Sequence, residues 1–416
     1  VICLSPESNI STLLTVAEAE QIILNHRLAL GTEQVPLMQA LGRILREDLR
    51  ADRDFPPFDR VTMDGIAIRH ERFAAGQREF PVAGIQAAGA PCLTLNRPDA
   101  CVEVMTGAML PEGTDTVIRY EDILLNNGRA EIRIAEMAFR QNVHFQGIDR
   151  RAGDLIVPAG RKIAPPEIAT AASIGKSTLL VARLPRVAIV STGDELVDVA
   201  DTPLPHQIRR SNVYAVQATL LEHFGLAGQL FHFTDDRDLI AKGLQGILAE
   251  FDLVVLTGAV SEGKFDYLPE VLNALGVEKC FHKVAQRPGK PFWFGHFKRR
   301  PVIFALPGNP VSAFLCTWRY LMPFLRSSLG QEPAPPRTAV LGERVVFKPR
   351  LTYFLPVKID NGTNGILQAF PLPGHGSGDL ANLNDADAFL ELPLERDIFE
   401  AVEPFPLFQY RYDALR

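Results

Sequence analysis

Apolar and polar positions change period several times along this chain, and the changes divide it. Thr15-Val16-Ala17-Glu18 has the form of a capping box, and Ile22, Ile23 and Leu30 continue an apolar side behind it. That pattern predicts a helix. Pro36 then opens a second predicted helix, with Leu37, Leu41, Ile44 and Leu45 at helical spacing. From residue 52 to 151 the period shortens. Ile66–Ile68, Cys101–Met105, Thr116–Ile118 and Ala130–Ile134 alternate or run apolar between Gly-, Pro- and Asn-rich turns, including Asn126-Asn127-Gly128. An all-β module with hairpins is expected there.

Helical spacing returns over residues 153–180 after Pro165-Pro166, so the β module reads as an insertion between two parts of one helical segment, 1–51 and 152–180. Residues 181–330 alternate strand and helix. Arg186–Ser191 precedes a helix near Ser211 with Val213, Val216, Leu220, Leu221 and Phe224 on one face. Asp252–Thr257 precedes a helix near 266–275, and Val302–Leu306 precedes one starting at Asn309-Pro310, an N-cap followed by proline. Such alternation predicts a doubly wound, mostly parallel α/β sheet. After the Pro-rich linker 332–336, the remainder of 331–416 reads as a small β domain of barrel-like type.

Composition narrows the function classes. The chain has 416 residues, 47% hydrophobic and 22% charged, enough for several packed domains. A net charge of −6 provides no basic footprint for nucleic acid. No apolar run reaches the roughly 18–20 residues of a membrane span, and no Lys/Arg-led apolar stretch opens the sequence, so neither anchor nor signal peptide is expected. Five scattered cysteines, without a C-x-x-C pair, suit a reducing, cytoplasmic compartment. Nine histidines show no H-E-x-x-H and no close Cys/His set, which weighs against a zinc enzyme.

Candidate chemistry collects at strand-end loops. Gly258-Ala259-Val260-Ser261-Glu262-Gly263 follows an apolar strand; its amides and Ser261 would cradle phosphate, and Asp266 would hold Mg²⁺ against it. The same residues serve equally as an ordinary βα turn with Asp266 as a helix cap. Arg287-Pro288-Gly289-Lys290-Pro291 is a stiff loop whose two cations suit an anion, or an exposed basic turn; Lys283, upstream in an alternating run, would point the same way as Arg287. Asp194 and Glu195 follow a buried strand, as candidate site or as solvated turn. Asp235-Asp236 before Arg237 reads as a helix start. Phe55–Gly65 is a rigid aromatic loop ending in Asp64-Gly65. Gly374–Gly378, with Ser377, either approaches an oxyanion closely or forms a flexible turn.

Taken in order, these stretches resemble the MoeA-type molybdopterin molybdenumtransferases, the family that includes the E domain of gephyrin. The carriers are Phe58–Gly65, Met105–Ala108 with Leu110–Gly113, Ser191–Leu196, Ser211-Asn212, Val260-Ser261 to Asp266-Tyr267, Pro288–Pro291 and Leu306–Val311, seven motifs over nearly the whole chain. The resemblance implies an elongated four-domain homodimer whose site is shared between subunits. It implies insertion of molybdenum, with Mg²⁺, from molybdate into adenylylated molybdopterin, giving molybdenum cofactor and AMP. Transient contact with the adenylyltransferase and with recipient molybdoenzymes is expected. Carried over residue by residue, Gly258, Ser261, Gly263, Pro307, Gly308 and Asn309 would bind nucleotide and molybdopterin. Asp266 and Glu195 would hold the metal. Asp235, Lys283 and Arg287 match further catalytic positions, and Arg287, Pro288, Lys290 and Ser377 would bind molybdate or the terminal phosphate. Asp64, Thr106 and Asp149 would act across the dimer. Departures from the family pattern fall at Ala259, Glu262, Arg287, Ile66 and Arg210, at 144–146, and near Phe354, where an expected arginine has no counterpart. They leave a non-catalytic pterin- or nucleotide-binding relative, or a scaffold, as the competing expectation.

Overall fold

A computed structural model of the chain describes residues 13–258, 267–298, 300–333, 335–362, 365–372, 374 and 376–411. Ser261, Gly263 and Asp266, and with them Ala259 and Glu262, lie outside the described residues.

One six-stranded sheet positions the site, in the order Gln229–Phe233, Val187–Thr192, Leu253–Thr257, Val302–Leu306, Trp293–Phe297, Val277–His282. The first four strands are parallel, Trp293–Phe297 runs antiparallel to them, and Val277–His282 runs antiparallel to Trp293–Phe297. Every residue of Val187–Thr192, Leu253–Thr257 and Val302–Leu306 is buried, because helices cover both faces. Val213, Val216, Leu220 and Phe224 of helix Asn212–Phe224 pack with Ile189, Val255 and Phe304. Ile240, Leu244 and Ile247 of helix Arg237–Glu250 pack with Ala188, Val190 and Val254 on the other face. Double-sided burial explains why these strands read as continuous apolar runs. Asp236 caps its helix as expected, accepting from the amides of Asp238 and Leu239, both at 2.9 Å.

The predicted capping box forms, with Glu18 N donating to Thr15 Oγ1 at 3.2 Å and Thr15 N to Glu18 Oε2 at 2.8 Å. Helix Val16–Asn25 buries Val16, Ala19 and Ile23 in the core of the sheet unit. The second predicted helix does not form. Thr32–Pro36 is instead a strand paired antiparallel with Thr178–Ala182, and Leu37–Ala40 makes one 3₁₀ turn. Strand pairing occupies the backbone up to Pro36, and Gly42 at φ 79° turns the chain before a second helical turn can close. Leu41 is consequently half exposed while Ile44 and Leu45 are buried, so the apolar positions share no helical face. Of the stretch 153–180 expected to be helical, only Pro165–Ser173 is a helix; Leu155–Val157 and Thr178–Ala182 are strands paired with the residues before the inserted module.

Residues 60–132 contain a second six-stranded sheet, in the order Thr116–Arg119, Gly65–Ile68, Cys101–Val104, Glu79–Gln86, Arg129–Ile132, Ile123–Asn126. The Asn126-Asn127-Gly128 signal is a two-residue hairpin, with Asn126 opposite Arg129 and both loop residues at positive φ. The chain enters and leaves this region side by side: Phe55 N donates to Arg150 O at 2.7 Å, and Leu49–Arg50 pairs with Leu155–Val157.

Toward the C-terminus, Thr338–Leu341, Thr352–Asn361, Leu367–Pro371, Ala388–Leu392 and Pro404–Gln409 close into a five-stranded barrel around its own core. The barrel joins the sheet unit where Gln286–Arg287 pairs in parallel with Thr352-Tyr353. Arg319, nearly buried, adds ion pairs to Glu391 at 2.9 Å and Glu20 at 2.8 Å. Both carboxylates face the guanidinium, so its burial is compensated. Among the described residues no helix is long and apolar enough to cross a membrane.

Candidate active site

The strand order reverses between Val187–Thr192 and Leu253–Thr257. The chain leaves the first for Gln229–Phe233 on one side and then crosses to the other. In open α/β sheets such a switch point leaves a crevice beyond the carboxyl ends of the strands. A cavity of about 740 Å³ lies there, lined by residues of the Ser191–Leu196, Arg287–Pro291 and Pro307–Pro310 loops and by Gly258.

Glycine and close packing shape its floor. Gly258 has φ 93°, and a Cβ on it would sit 3.0 Å from Thr192 O and 3.5 Å from Thr192 Oγ1. Gly308 lies against it: a Cβ there would be 3.7 Å from Gly258 Cα. Bare backbone is therefore presented where a larger residue would fill the crevice. The buried hydroxyl of Thr192 lines this floor and has no hydrogen-bond partner among the described residues.

Acidic groups gather on the Gln229–Phe233 side. Glu195 and Asp235 line the cavity, and Asp194 beside them accepts from the amide of Asp235 at 3.0 Å. Burial raises the Asp235 carboxyl above its ordinary range. The charges of Asp194 and Glu195 push the same way, opposed by the Asp194 backbone and His232. Three carboxylates drawn together at this cost suit a cation.

Basic groups occupy the loop that meets the barrel. Arg287 and Lys290 are exposed at the cavity, with Pro288, Gly289 and Pro291 between and after them. A side chain the sequence did not signal holds this loop. Buried Gln286 donates to Pro288 O at 3.2 Å and to Cys316 Sγ at 3.6 Å, and its amide oxygen accepts from the hydroxyl of Tyr320. Tyr320 sits in a single π turn, Thr317–Leu321, within the helical run that begins at Pro310. Leu351 and Ser377 bring the barrel side to the same cavity.

Two helix starts complete the wall. Asn212 Nδ2 donates to Gly308 O at 2.8 Å, tying the start of Asn212–Phe224 to the Pro307-Gly308-Asn309 loop. Asn309 is the N-cap residue of Pro310–Cys316, but its side chain does not cap the helix. It donates instead to Ser377 Oγ at 2.7 Å, while Val311 N donates to Ser377 O at 3.1 Å. Pro310 has no N–H, Val311 N is taken by Ser377 O and Ala313 N by Asn309 O at 3.0 Å, so this helix start is fastened to the barrel side; the start of Asn212–Phe224 has no side-chain cap. Arg210 also lines the cavity, its charge met by an ion pair with Asp198.

Of the candidate residues, Glu195, Asp235, Gly258, Arg287, Pro288, Lys290, Pro307, Gly308, Asn309 and Ser377 converge here. Lys283 does not. It takes φ 77° at the end of strand Val277–His282 and lies outside the cavity wall. Asp64, Thr106 and Asp149 are also absent from this chain's cavity. They belong to the 52–151 region, where Thr106 N and Oγ1 donate to Asp64 Oδ1 at 2.6 and 2.7 Å. The Thr106 amide first, then its hydroxyl, hold the Asp64 carboxyl below its ordinary range. Gly65 follows because a Cβ there would stand 1.8 Å from Ile118 O. Asp149 Oδ1 is 3.3 Å from His144 Nε2. Sequence reasoning assigns no role to Thr192, Gln286 or Leu351; Thr192 left a trace inside the Ser191–Leu196 motif, and Gln286 as a polar residue between Val284-Ala285 and a stiff loop.

Known proteins match this chain over most of its length. Residues 14–175 match the MoeA N-terminal region (domain I and II), 188–327 a probable molybdopterin binding domain, and 338–407 the MoeA C-terminal region (domain IV). A molybdopterin molybdenumtransferase of Synechocystis sp. is 40% identical over 96% of this chain and 100% of its own length. One from Bacillus subtilis is 31% identical over 92% and 90%. The crystal structure of a molybdopterin biosynthesis MoeA protein from Pyrococcus horikoshii OT3 superposes with a TM-score of 0.81 at 26% identity, covering 96% of this chain and all of that one. Matches across all three regions, at this identity and over this length, place the chain in the MoeA family of molybdopterin molybdenumtransferases.

Proposed function

We propose that this chain inserts molybdenum into molybdopterin, taking adenylylated molybdopterin and molybdate and releasing molybdenum cofactor and AMP. One observation carries the reading: the cavity at the switch point has carboxylates on one side, Arg287 and Lys290 on another, and bare glycine backbone between. A phosphate-bearing pterin and a free oxyanion need this division. Arg287 and Lys290 attract molybdate and balance its charge. Amides at the uncapped start of Asn212–Phe224 and the Thr192 hydroxyl suit phosphate oxygens. Gly258 and Gly308 let the substrate approach the backbone.

Mg²⁺ fits the acidic side by donor chemistry. Glu195 and Asp235 offer the hard carboxylate oxygens this ion prefers, and Asp266 matches a third such position in the family. Mg²⁺ bound there would neutralise charge on the phosphate that leaves as AMP. Purified chain incubated with adenylylated molybdopterin, molybdate and Mg²⁺ is expected to release AMP and yield cofactor that reconstitutes a molybdoenzyme. Absence of both products would overturn the assignment.

Asp64, Thr106 and Asp149 complete the site from a second copy of the chain in this reading, which is supported by their family match and their absence from the chain's own cavity. Mixing tests it. Asp64→Asn and Glu195→Gln chains, each inactive alone, should recover about a quarter of wild-type activity after subunit exchange, since half the dimers carry one intact site of two. A site built within one chain would recover none.

A further inference from the structure

Away from the cavity, three ligating side chains distant in sequence come together: His26, Cys280 and His296. One ligand atom from each lies within 4.8 Å of the others. His26 follows helix Val16–Asn25 as its C-cap, Cys280 lies on strand Val277–His282, the last of the sheet, and His296 is on its neighbour Trp293–Phe297. Cys280 Sγ is 3.7 Å from His26 Nε2. Bond lengths on tetrahedral zinc put neighbouring nitrogen and sulfur ligands roughly 3.3–3.6 Å apart. That pair already stands close to the required spacing, and His296 needs to close by only about 1 Å.

Each ligand is set by its surroundings. His26 Nδ1 is 2.8 Å from Ile22 O. A carbonyl only accepts, so Nδ1 carries the proton and Nε2 turns its lone pair toward Cys280. Metal-binding histidines are oriented in this way by a carbonyl on the far nitrogen. At Cys280 the pairing with Trp293–Phe297 slips between Lys279 and Phe281, and such a bulge re-aims a side chain. His296 Nδ1 is buried and has no hydrogen-bond partner among the described residues, while its Nε2 is 3.9 Å from Glu278 Oε2 directly across the strand pair. The C-terminal end of the helix adds a negative dipole end. Plain packing accounts for the His26 ring against Phe294, at 5.7 Å and 73°. The His26–His296 ring contact at 4.8 Å and an S–H···N bond from Cys280 to His26 are also ordinary packing, but neither satisfies the orphaned Nδ1 of His296.

We propose that His26, Cys280 and His296 bind one zinc ion and that the ion clips the N-terminal helix to the outer strand of the sheet. Thiolate and imidazole donors select zinc over magnesium, so this site is separate from the carboxylate side of the cavity. Binding replaces the Cys280 S–H bond with a sulfur–zinc bond and releases the proton to solvent.

The full chain, stripped with chelator, loaded with zinc sulfate and desalted, should retain one zinc per chain by elemental analysis. Cys280→Ser and His296→Gln should each bind at least about tenfold more weakly. Zinc should raise the unfolding temperature of the wild type and not of these variants. Cobalt loaded into unmutated protein should give a thiolate-to-cobalt charge-transfer band that Cys280→Ser removes; this readout does not depend on how well His296→Gln folds. Wild-type protein that retains no zinc and shows no thiolate band would overturn the proposal, as would variants that retain as much zinc as wild type.

Discussion

The basic loop of the cavity depends on a hydrogen bond that can be removed from either end. Gln286 is fully buried and accepts from Tyr320, itself 1% exposed, while donating to the carbonyl of Pro288. Burial drives the Tyr320 phenol well above its ordinary range, so it stays protonated and must donate. Gln286→Leu leaves that hydroxyl and the Pro288 carbonyl without partners. Tyr320→Phe leaves the Gln286 amide oxygen bare. Each buried orphan costs about 1–3 kcal/mol, whereas removing both partners together is far less costly. The single variants should therefore each lose about 2 kcal/mol, and the double variant should lose at least about 1 kcal/mol less than their sum.

Fluorescence reads this unit alone, because the only two tryptophans, Trp293 and Trp318, both lie in the sheet unit and are nearly buried. A 2 kcal/mol loss moves a urea midpoint down by roughly 1 M. Freed from its anchor, the loop must order Arg287 and Lys290 on binding. At about 0.5–1.5 kcal/mol for each of the two side chains, about 1–3 kcal/mol together, the molybdate concentration for half-maximal AMP release should rise about five- to a hundredfold. Strictly additive midpoint shifts, or Gln286→Leu with unchanged stability and molybdate dependence, would refute the anchoring role.

Two further outcomes follow from the cavity. Gly258→Ala puts a Cβ 3.0 Å from Thr192 O at φ 93°, so thermal unfolding should show a loss of about 1–2 kcal/mol, with weakened AMP binding by calorimetry. Asp235 has a raised carboxyl pKa, so the folded chain holds that proton more tightly than the unfolded one. Its contribution to stability is full below the ordinary carboxylate range and is lost as pH rises through the folded value. Mg²⁺ needs the carboxylate, so affinity measured from about pH 8 down to about pH 4 should begin to fall above the range of an ordinary aspartate. Asp235→Asn should bind Mg²⁺ more weakly, flatten that dependence, and be no less stable than wild type near neutrality; an unchanged pH profile would remove Asp235 from the metal site.

Where a local rule and the tertiary contact agreed, the fold was legible in sequence. The capping box at Thr15, the Asp236 cap and the Asn127-Gly128 hairpin each form as read. Continuous apolar runs located the three central strands because helices bury both their faces. The helix expected after Pro36 failed for the same kind of reason. Its spacing was helical, but a partner strand, with Ala182 opposite Thr32 150 positions away, took the backbone up to Pro36 first. Periodicity cannot register a partner that distant.

Site residues divide along the same line. Glu195, Gly258, Arg287, Lys290 and Asn309 follow strands directly, and a sequence shows where strands end. Gln286 acts through Tyr320, 34 positions on, and Ser377 reaches Asn309 from the barrel, 68 positions away. Neither contact has a local signature. The cysteine and histidine pattern makes the same point more sharply. No two of His26, Cys280 and His296 are close enough in sequence to form a ligand motif, which weighed against a zinc site. The antiparallel pairing of Val277–His282 with Trp293–Phe297, and the helix end laid against it, bring the three within 4.8 Å. Short-range motifs report sites built on a single turn. A site that fastens one element to another is assembled from residues whose separation equals that of the elements themselves, so the absence of a motif carries no weight against it.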